Sequence, residues 1–446
     1  MYWTAINVHC INLLYQKIPR ICASVVIAIF LESIQFAVVS PKERKERNKV
    51  TSNIPILNYI MGCCGSSSSS YKGPKYGSRG HKDDEVTVVD LQGKSKGGCA
   101  LCCFQCLMCC TSMNSLLKSQ GITPDGRKED FVRAEERKMQ HQMKSPSVTF
   151  PNFVKGIQTR HITYPNHTDG FENDALLYTP ATPEVECSTT KPIIVYIHGG
   201  GWVVGDAKTL TYDPLCKKLC QKLDCYILSV NYRMAPEHPY PVPLEDCYSV
   251  LSWLGNMKLS QDFVPEVVDR QRVILMGDSA GGNLAAATAM LWRDRGLAGI
   301  TVVHQVLLYP CFCTRPLTES RTNAALGNKA MLLKPWMMDF YERMYTPDGK
   351  TVEDMSNDPY VNCTSANDLT MLPPITGLVG GADILRDEGV AYFVKVAREG
   401  NGVDVEWRQW DYAIHGFCVF PGKDADNALA YIIERLRPYM DPVSNV

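Results

Sequence analysis

The stretch "GDSAGG", Gly277 to Gly282, sets one serine among small residues, directly after the apolar run Val273 to Met276 and ahead of an Ala-rich stretch. This is the G-x-S-x-G pattern in the strand-to-helix setting that it needs, where a sharp turn lifts a serine hydroxyl above a sheet. Flanking glycines let the backbone turn there, and a helix amino terminus aims N–H groups at developing negative charge. Ser279 is the candidate nucleophile. Its hydroxyl needs a base, and the base needs a carboxylate to hold its tautomer. Where this turn occurs, the chain order is serine, acid, histidine. Only His304 and His415 follow Ser279. His304 falls inside the strand-like "VVHQVLL" and reads as a core histidine, whereas His415 stands in the loop "AIHGF" and is the candidate base. Asp383, at the end of "ITGLVGGAD", is the candidate acid. Asp387 and Glu388 come a turn later and read as loop braces or surface pairs, and Asp278 as a structural neighbour of the serine.

A second loop, "HGGGW" from His198 to Trp202, closes the earlier apolar run "PIIVYI". Its consecutive glycines expose backbone N–H groups to close approach, as an oxyanion requires. Gly200, Gly201 and the N–H of Ala280 are the candidate oxyanion hole, and His198 is a loop brace. A phosphate loop is the competing reading, but neither a Walker lysine nor G-x-G-x-x-G follows.

Positioning these groups calls for alternating strands and helices. "PIIVYIH", "CYILSV", "RVILMG", "VVHQVLLYP" and "ITGLVGGAD" are short apolar runs of the kind buried on both faces of a parallel sheet. "GGNLAAATAMLWRDRG" and "VAYFVKVAREG" are helical stretches between them, so the fold class is α/β. With 446 residues, a core is easily buried, and a formal charge of −1 excludes a global pull toward nucleic acid.

Together "HGGGW", "NYRMAPEHPYPVPLEDC", "GDSAGG", "SNDPYVN", "GGADILRDEG" and "HGF" resemble, in order, the hormone-sensitive-lipase-like (GDXG) branch of the α/β-hydrolases, over roughly residues 150 to 440. The resemblance implies an eight-stranded, mostly parallel sheet with helices on both faces and a helical cap drawn from the segment before the first strand and from Leu332 to Tyr345. It also implies carboxylic ester hydrolysis through an acyl-enzyme, without cofactor or metal. Amide or formamide hydrolysis by the same groups is the nearest alternative, and a non-catalytic receptor for a small ligand is another. Acyl and alcohol specificity and oligomeric state stay open.

The front of the chain reads differently. "MGCCGSSSSS", Met61 to Ser70, fits the N-myristoylation pattern, with Gly62 as acceptor and Cys63 and Cys64 placed for palmitoylation. That modification needs Gly62 at a free terminus, so the pattern predicts a start at Met61, with residues 1–60 as upstream sequence. Residues 61–98 are rich in Ser, Gly and Lys and read as a flexible linker. Six of the chain's nineteen cysteines then fall between Cys99 and Cys110 at helical offsets, a stripe suited to further acylation. A zinc site and a buried cysteine-rich helix are the other readings of this stripe. The expected organisation is a leader at 1–60, a lipid-modified membrane-targeting segment at 61–110, and a hydrolase domain at 111–446 with cap elements near 111–185 and 315–360. Expected partners are a small-molecule or lipid ester and a membrane surface, and the expected location is the cytoplasmic face of a membrane. In the rival topology Ile21 to Ser40 is a signal anchor and the domain lies in the endoplasmic reticulum lumen, with the sequons at Asn166 and Asn362 open to glycans.

Overall fold

The computed structural model describes residues 154, 156–181, 190–208, 212–260, 267–312, 315–323 and 332–440. Gly62, Cys63, Cys64, the Cys99 to Cys110 stripe and the Ile21 to Ser40 run lie outside the described residues.

One sheet organises the described chain. Its strands are β1 (Gln158–Pro165), β2 (Glu172–Thr179), β3 (Lys191–Ile197), β4 (Tyr226–Val230), β5 (Val268–Asp278), β6 (Val302–Leu308), β7 (Ile375–Gly380) and β8 (Val405–Trp410). Their spatial order is β1-β2-β4-β3-β5-β6-β7-β8. Pairing is antiparallel for β1 with β2 and β2 with β4, and parallel from β4 through to β8. Every residue of β3, β4 and β7 is buried, as a parallel sheet covered on both faces demands.

The cover comes from helices α1 (Tyr212–Leu223), α2 (Val242–Gly255), α3 (Ala280–Arg295), α4 (Pro335–Tyr345), α5 (Arg386–Glu399) and α6 (Lys423–Leu436). Residues of α2, α3, α4 and α5 join one apolar core, and those of α1 and α6 join the other. In α1 the buried residues Tyr212, Leu215, Cys216, Leu219, Cys220 and Leu223 recur every three or four positions, which gives it one apolar stripe. Helix α3 differs: its residues Ala280 to Leu291 are all buried, because small side chains let it sit close against the sheet. The seven described cysteines are free thiols and all are buried.

The expected cap near 111–185 needs correction. Residues 158–179 are not a cover but β1 and β2, which extend the sheet past β4 by backbone pairing. The exposed first half of β1 and the three polar residues that open β2 leave only short apolar runs, which hides both from a search for continuous apolar strands. The segment Leu332 to Tyr345 supplies α4 as a helix, with its starting proline at the first position, where a missing N–H costs nothing.

Candidate active site

Ser279 stands one residue beyond β5, with φ 56° and ψ −121°. Such left-handed backbone costs a non-glycine residue about 1–3 kcal/mol and persists only when its surroundings force it. Here they do. Ser279 N–H donates to Leu308 O at 2.9 Å, and its own carbonyl accepts from Asn283 N at 3.1 Å and Cys311 N at 3.2 Å. The glycines are required by contact: a Cβ on Gly281 would lie 2.1 Å from Ile197 O. The turn therefore presses α3 directly onto the end of β3.

The loop after β3 is braced from below. Asp278 accepts from Tyr196 OH and from Gly199 N, each at 2.9 Å, so the first glycine N–H is turned inward and the loop is tied to the residue before the serine. Burial pushes the Asp278 carboxyl up to about 6, against the opposing pull of these donors. His198 is fully buried and stacks on Tyr232 at 4.5 Å, with Nδ1 donating to Gly199 O at 2.8 Å. Burial lowers its pKa, so it is a neutral brace. Trp202, also left-handed at φ 60°, stacks on Tyr345 of α4 at 4.5 Å.

The acid and base loops are tied together by backbone bonds from Gly381 N to Trp410 O at 2.8 Å and from Ala382 N to Ala413 O at 3.0 Å. This puts Asp383, three residues past β7, beside His415, five past β8. His415 Nδ1–H donates to Asp383 Oδ2 at 2.7 Å, and in that tautomer Nε2 accepts from the Ser279 hydroxyl at 2.9 Å. Asp383 Oδ1 is held in turn by Leu385 N at 2.9 Å. Asp383 is 1% exposed, while Ser279 and His415 keep 9% and 8%, so the nucleophile and base alone retain an opening to solvent. The arrangement can deprotonate a serine and stabilise the imidazolium that results.

A model of the α/β-hydrolase fold matches residues 194–419, just over half of the chain. The chain belongs to that family. Among the curated relatives, the Mycobacterium tuberculosis carboxylic ester hydrolase LipN is 37% identical over 51% of this chain and 57% of its own length. Carboxylesterase NlhH from the same organism is 33% identical over 63% of this chain and 80% of its own. The solved esterase of Pyrobaculum calidifontis is 29% identical, with a TM-score of 0.55, over 71% of this chain and 94% of that one. These likenesses place the hydrolase in the hormone-sensitive-lipase-like branch that its motifs resemble.

Other residues around the hydrolase site were not legible as motifs. Tyr309, left-handed at φ 36° just past β6, sets its ring edge-on to His415 at 5.0 Å and packs on Phe417 at 5.4 Å. Tyr341 of α4 covers Gly201, where a Cβ would lie 2.4 Å from its ring. Of the two acids after Asp383, Asp387 does brace a loop, accepting from Ser320 N at 2.8 Å. Glu388 is no surface pair: it is fully buried and accepts from Phe312 N at 3.3 Å. Burial pushes its carboxyl up to about 7, with Glu342 and Asp383 adding to the rise and Arg321 opposing it.

The raised Glu388 carboxyl makes stability depend on pH. From the ordinary carboxyl range up to about 7 the folded chain keeps a proton that the unfolded chain releases, so this part of the stability is lost as pH rises. Glu388→Gln should therefore gain stability relative to the parent from pH 5 to 8, by on the order of 3 kcal/mol. Urea unfolding of both proteins at several pH values reads the difference. A difference that stays flat with pH would refute it.

The two sequons are built into the fold. Asn166 is 2% exposed and its Nδ2 donates to Asp246 Oδ1; Asn362 is 5% exposed and its Nδ2 donates to Ser356 O at 2.9 Å. The nitrogen that a glycan would need is thus buried and bonded at both. Among the described residues no helix is long and apolar enough to cross a membrane.

Proposed function

We propose that the protein cleaves carboxylic esters by acyl transfer to Ser279, with His415 as general base and acid, Asp383 as its orienting carboxylate, and the N–H groups of Gly200, Gly201 and Ala280 as oxyanion hole. That it is a carboxylic ester hydrolase follows from its relatives; the individual roles rest on the site. The observation that carries them is the continuous chain of bonds from Asp383 Oδ2 through His415 to Ser279 Oγ, at 2.7 and 2.9 Å.

In the first step Ser279 Oγ attacks the ester carbonyl as its proton passes to His415 Nε2. The carbonyl oxygen becomes an oxyanion, for which each backbone donor typically contributes about 3–4 kcal/mol. His415 then hands its proton to the departing alkoxide, leaving an acyl-serine and a free alcohol. Water attacks the acyl carbon with His415 again as base, and the acid leaves as the serine is restored. Asp383 holds the imidazole in place and stabilises the imidazolium. The presence of His415 at the base position favours catalysis over the receptor reading, which requires a lost base. A fluorophosphonate is the direct test: it should label the parent at Ser279 and fail to label Ser279→Ala.

The same reading holds the hydrolase at the cytoplasmic face of a membrane, through myristate on Gly62 and palmitate on Cys63 and Cys64. Its support is the pattern "MGCCGS" together with the cysteine stripe beyond it. One myristoyl chain binds membrane only marginally, at about 10⁴ M⁻¹, so the second lipid is essential. Acylation requires Gly62 at a free amino terminus, reached by initiation at Met61. Intact mass of protein from its native cells should show a myristoylated Gly62 terminus. Peptides from residues 1–60 together with glycosylated Asn166 or Asn362 would refute it, and the buried sequon nitrogens weigh against that outcome.

A further inference from the structure

Residues 315–323, in the connection from β6 to α4, hold both sides of the site at once. Toward α4, Arg321 Nη1 donates to Glu342 Oε1 at 2.6 Å, and Arg315 donates to the other oxygen of that carboxylate. Arg321 and Glu342 are 3% and 2% exposed, so this ion pair is shielded from water and screened little. Toward the acid loop, Ser320 N–H donates to Asp387 Oδ2 and its hydroxyl to Ile384 O, both at 2.8 Å. The charge of the buried Glu388 on α5 also favours the charged Arg321 guanidinium.

The two ends of this strap meet the reacting groups. Glu342 follows Tyr341, whose ring lies on Gly201 of the oxyanion loop. Ile384 follows Asp383, which holds His415. A buried guanidinium paired with carboxylates has few alternative seats, because moving it leaves a charge unpaired in low dielectric. We propose that Arg321 is a positioning residue that couples the seating of α4 over Gly201 to the alignment of Asp383 with His415. The coupling rests on the reading of Ser279, Asp383 and His415 given above.

The test perturbs one end and reads the other. Glu342→Gln keeps the shape of the side chain on α4 but removes its charge, and Arg321→Lys keeps the charge but loses the planar fork. Hydrogen exchange of peptides covering residues 384–390 should rise at least about threefold in both variants, although neither substitution lies in that segment. Turnover per fluorophosphonate-titrated serine should fall by about tenfold in kcat, with KM changing less, since misalignment of the base acts on chemistry. Titration removes any unfolded fraction from the comparison. Exchange changes confined to residues 315–345, or an unaltered kcat per titrated site, overturn the proposal. The exchange readout does not depend on activity: if the parent neither labels nor hydrolyses esters, the catalytic reading fails while the strap is still judged by exchange alone.

Discussion

Replacing Ser279 with alanine should abolish ester hydrolysis and fluorophosphonate labelling while the protein stays folded. The substitution removes only Oγ, the atom bonded to His415 Nε2 at 2.9 Å, and leaves the backbone bonds of the turn to Leu308, Asn283 and Cys311 in place. Loss of the nucleophile in triads of this kind typically costs about 10⁴ to 10⁶ in turnover. Steady-state hydrolysis of a short-chain model ester by purified protein measures it, with circular dichroism as the folding control. Parent-like turnover in Ser279→Ala would end the assignment of this serine.

The second large effect separates the two histidines. His415→Ala should fall to the level of the serine variant, because no other described imidazole bridges Ser279 and an acid. His304→Ala should leave kcat near that of the parent and lower stability by about 1–3 kcal/mol, the usual cost of emptying a buried, bonded polar position. His304 is fully buried in β6, its ring bonded to Thr376 Oγ1 at 2.8 Å and packed on Tyr439 at 4.6 Å. Burial, with a lesser push from Arg435, holds its pKa down at about 3, so it stays neutral where an ester hydrolase needs a titrating base. Turnover and urea midpoints measured on both variants would expose a wrong choice as the reverse pattern.

The groups meant for chemistry were legible because each sits where a local rule applies. "GDSAGG" reads as a turn from its glycines and its place after an apolar run, and the structure adds a second need for Gly281, whose Cβ would strike the carbonyl of Ile197. The buried strands β3, β5, β6 and β7 read from unbroken apolar runs, and His415 and Asp383 from chain order and position after such runs. Strand ends were less legible: β7 stops at Gly380, and Asp383 lies in the turn beyond it. β1 escaped because it is the edge strand and half of it is exposed, mixing polar and apolar residues, and β2 because its buried apolar run, Ala175 to Tyr178, is only four residues long behind three polar ones.

Residue types and their spacing thus established the fold class, the candidate nucleophile, base and acid, and the candidate glycine loop. These depend on backbone sterics and burial, which act over a few neighbouring residues and leave a mark in the linear order. The partners of buried charge left no such mark. Arg321 is bonded to Glu342, 21 residues away, and senses the charge of Glu388, 67 residues away, and Tyr309 meets His415 only because β6 and the loop after β8 end on the same side of the sheet. Glu388 therefore read as a loop brace or a surface pair, and its full burial emerged only when distant segments packed together. Electrostatic and aromatic contacts are set by distance in space, and no period or motif in the chain encodes that distance.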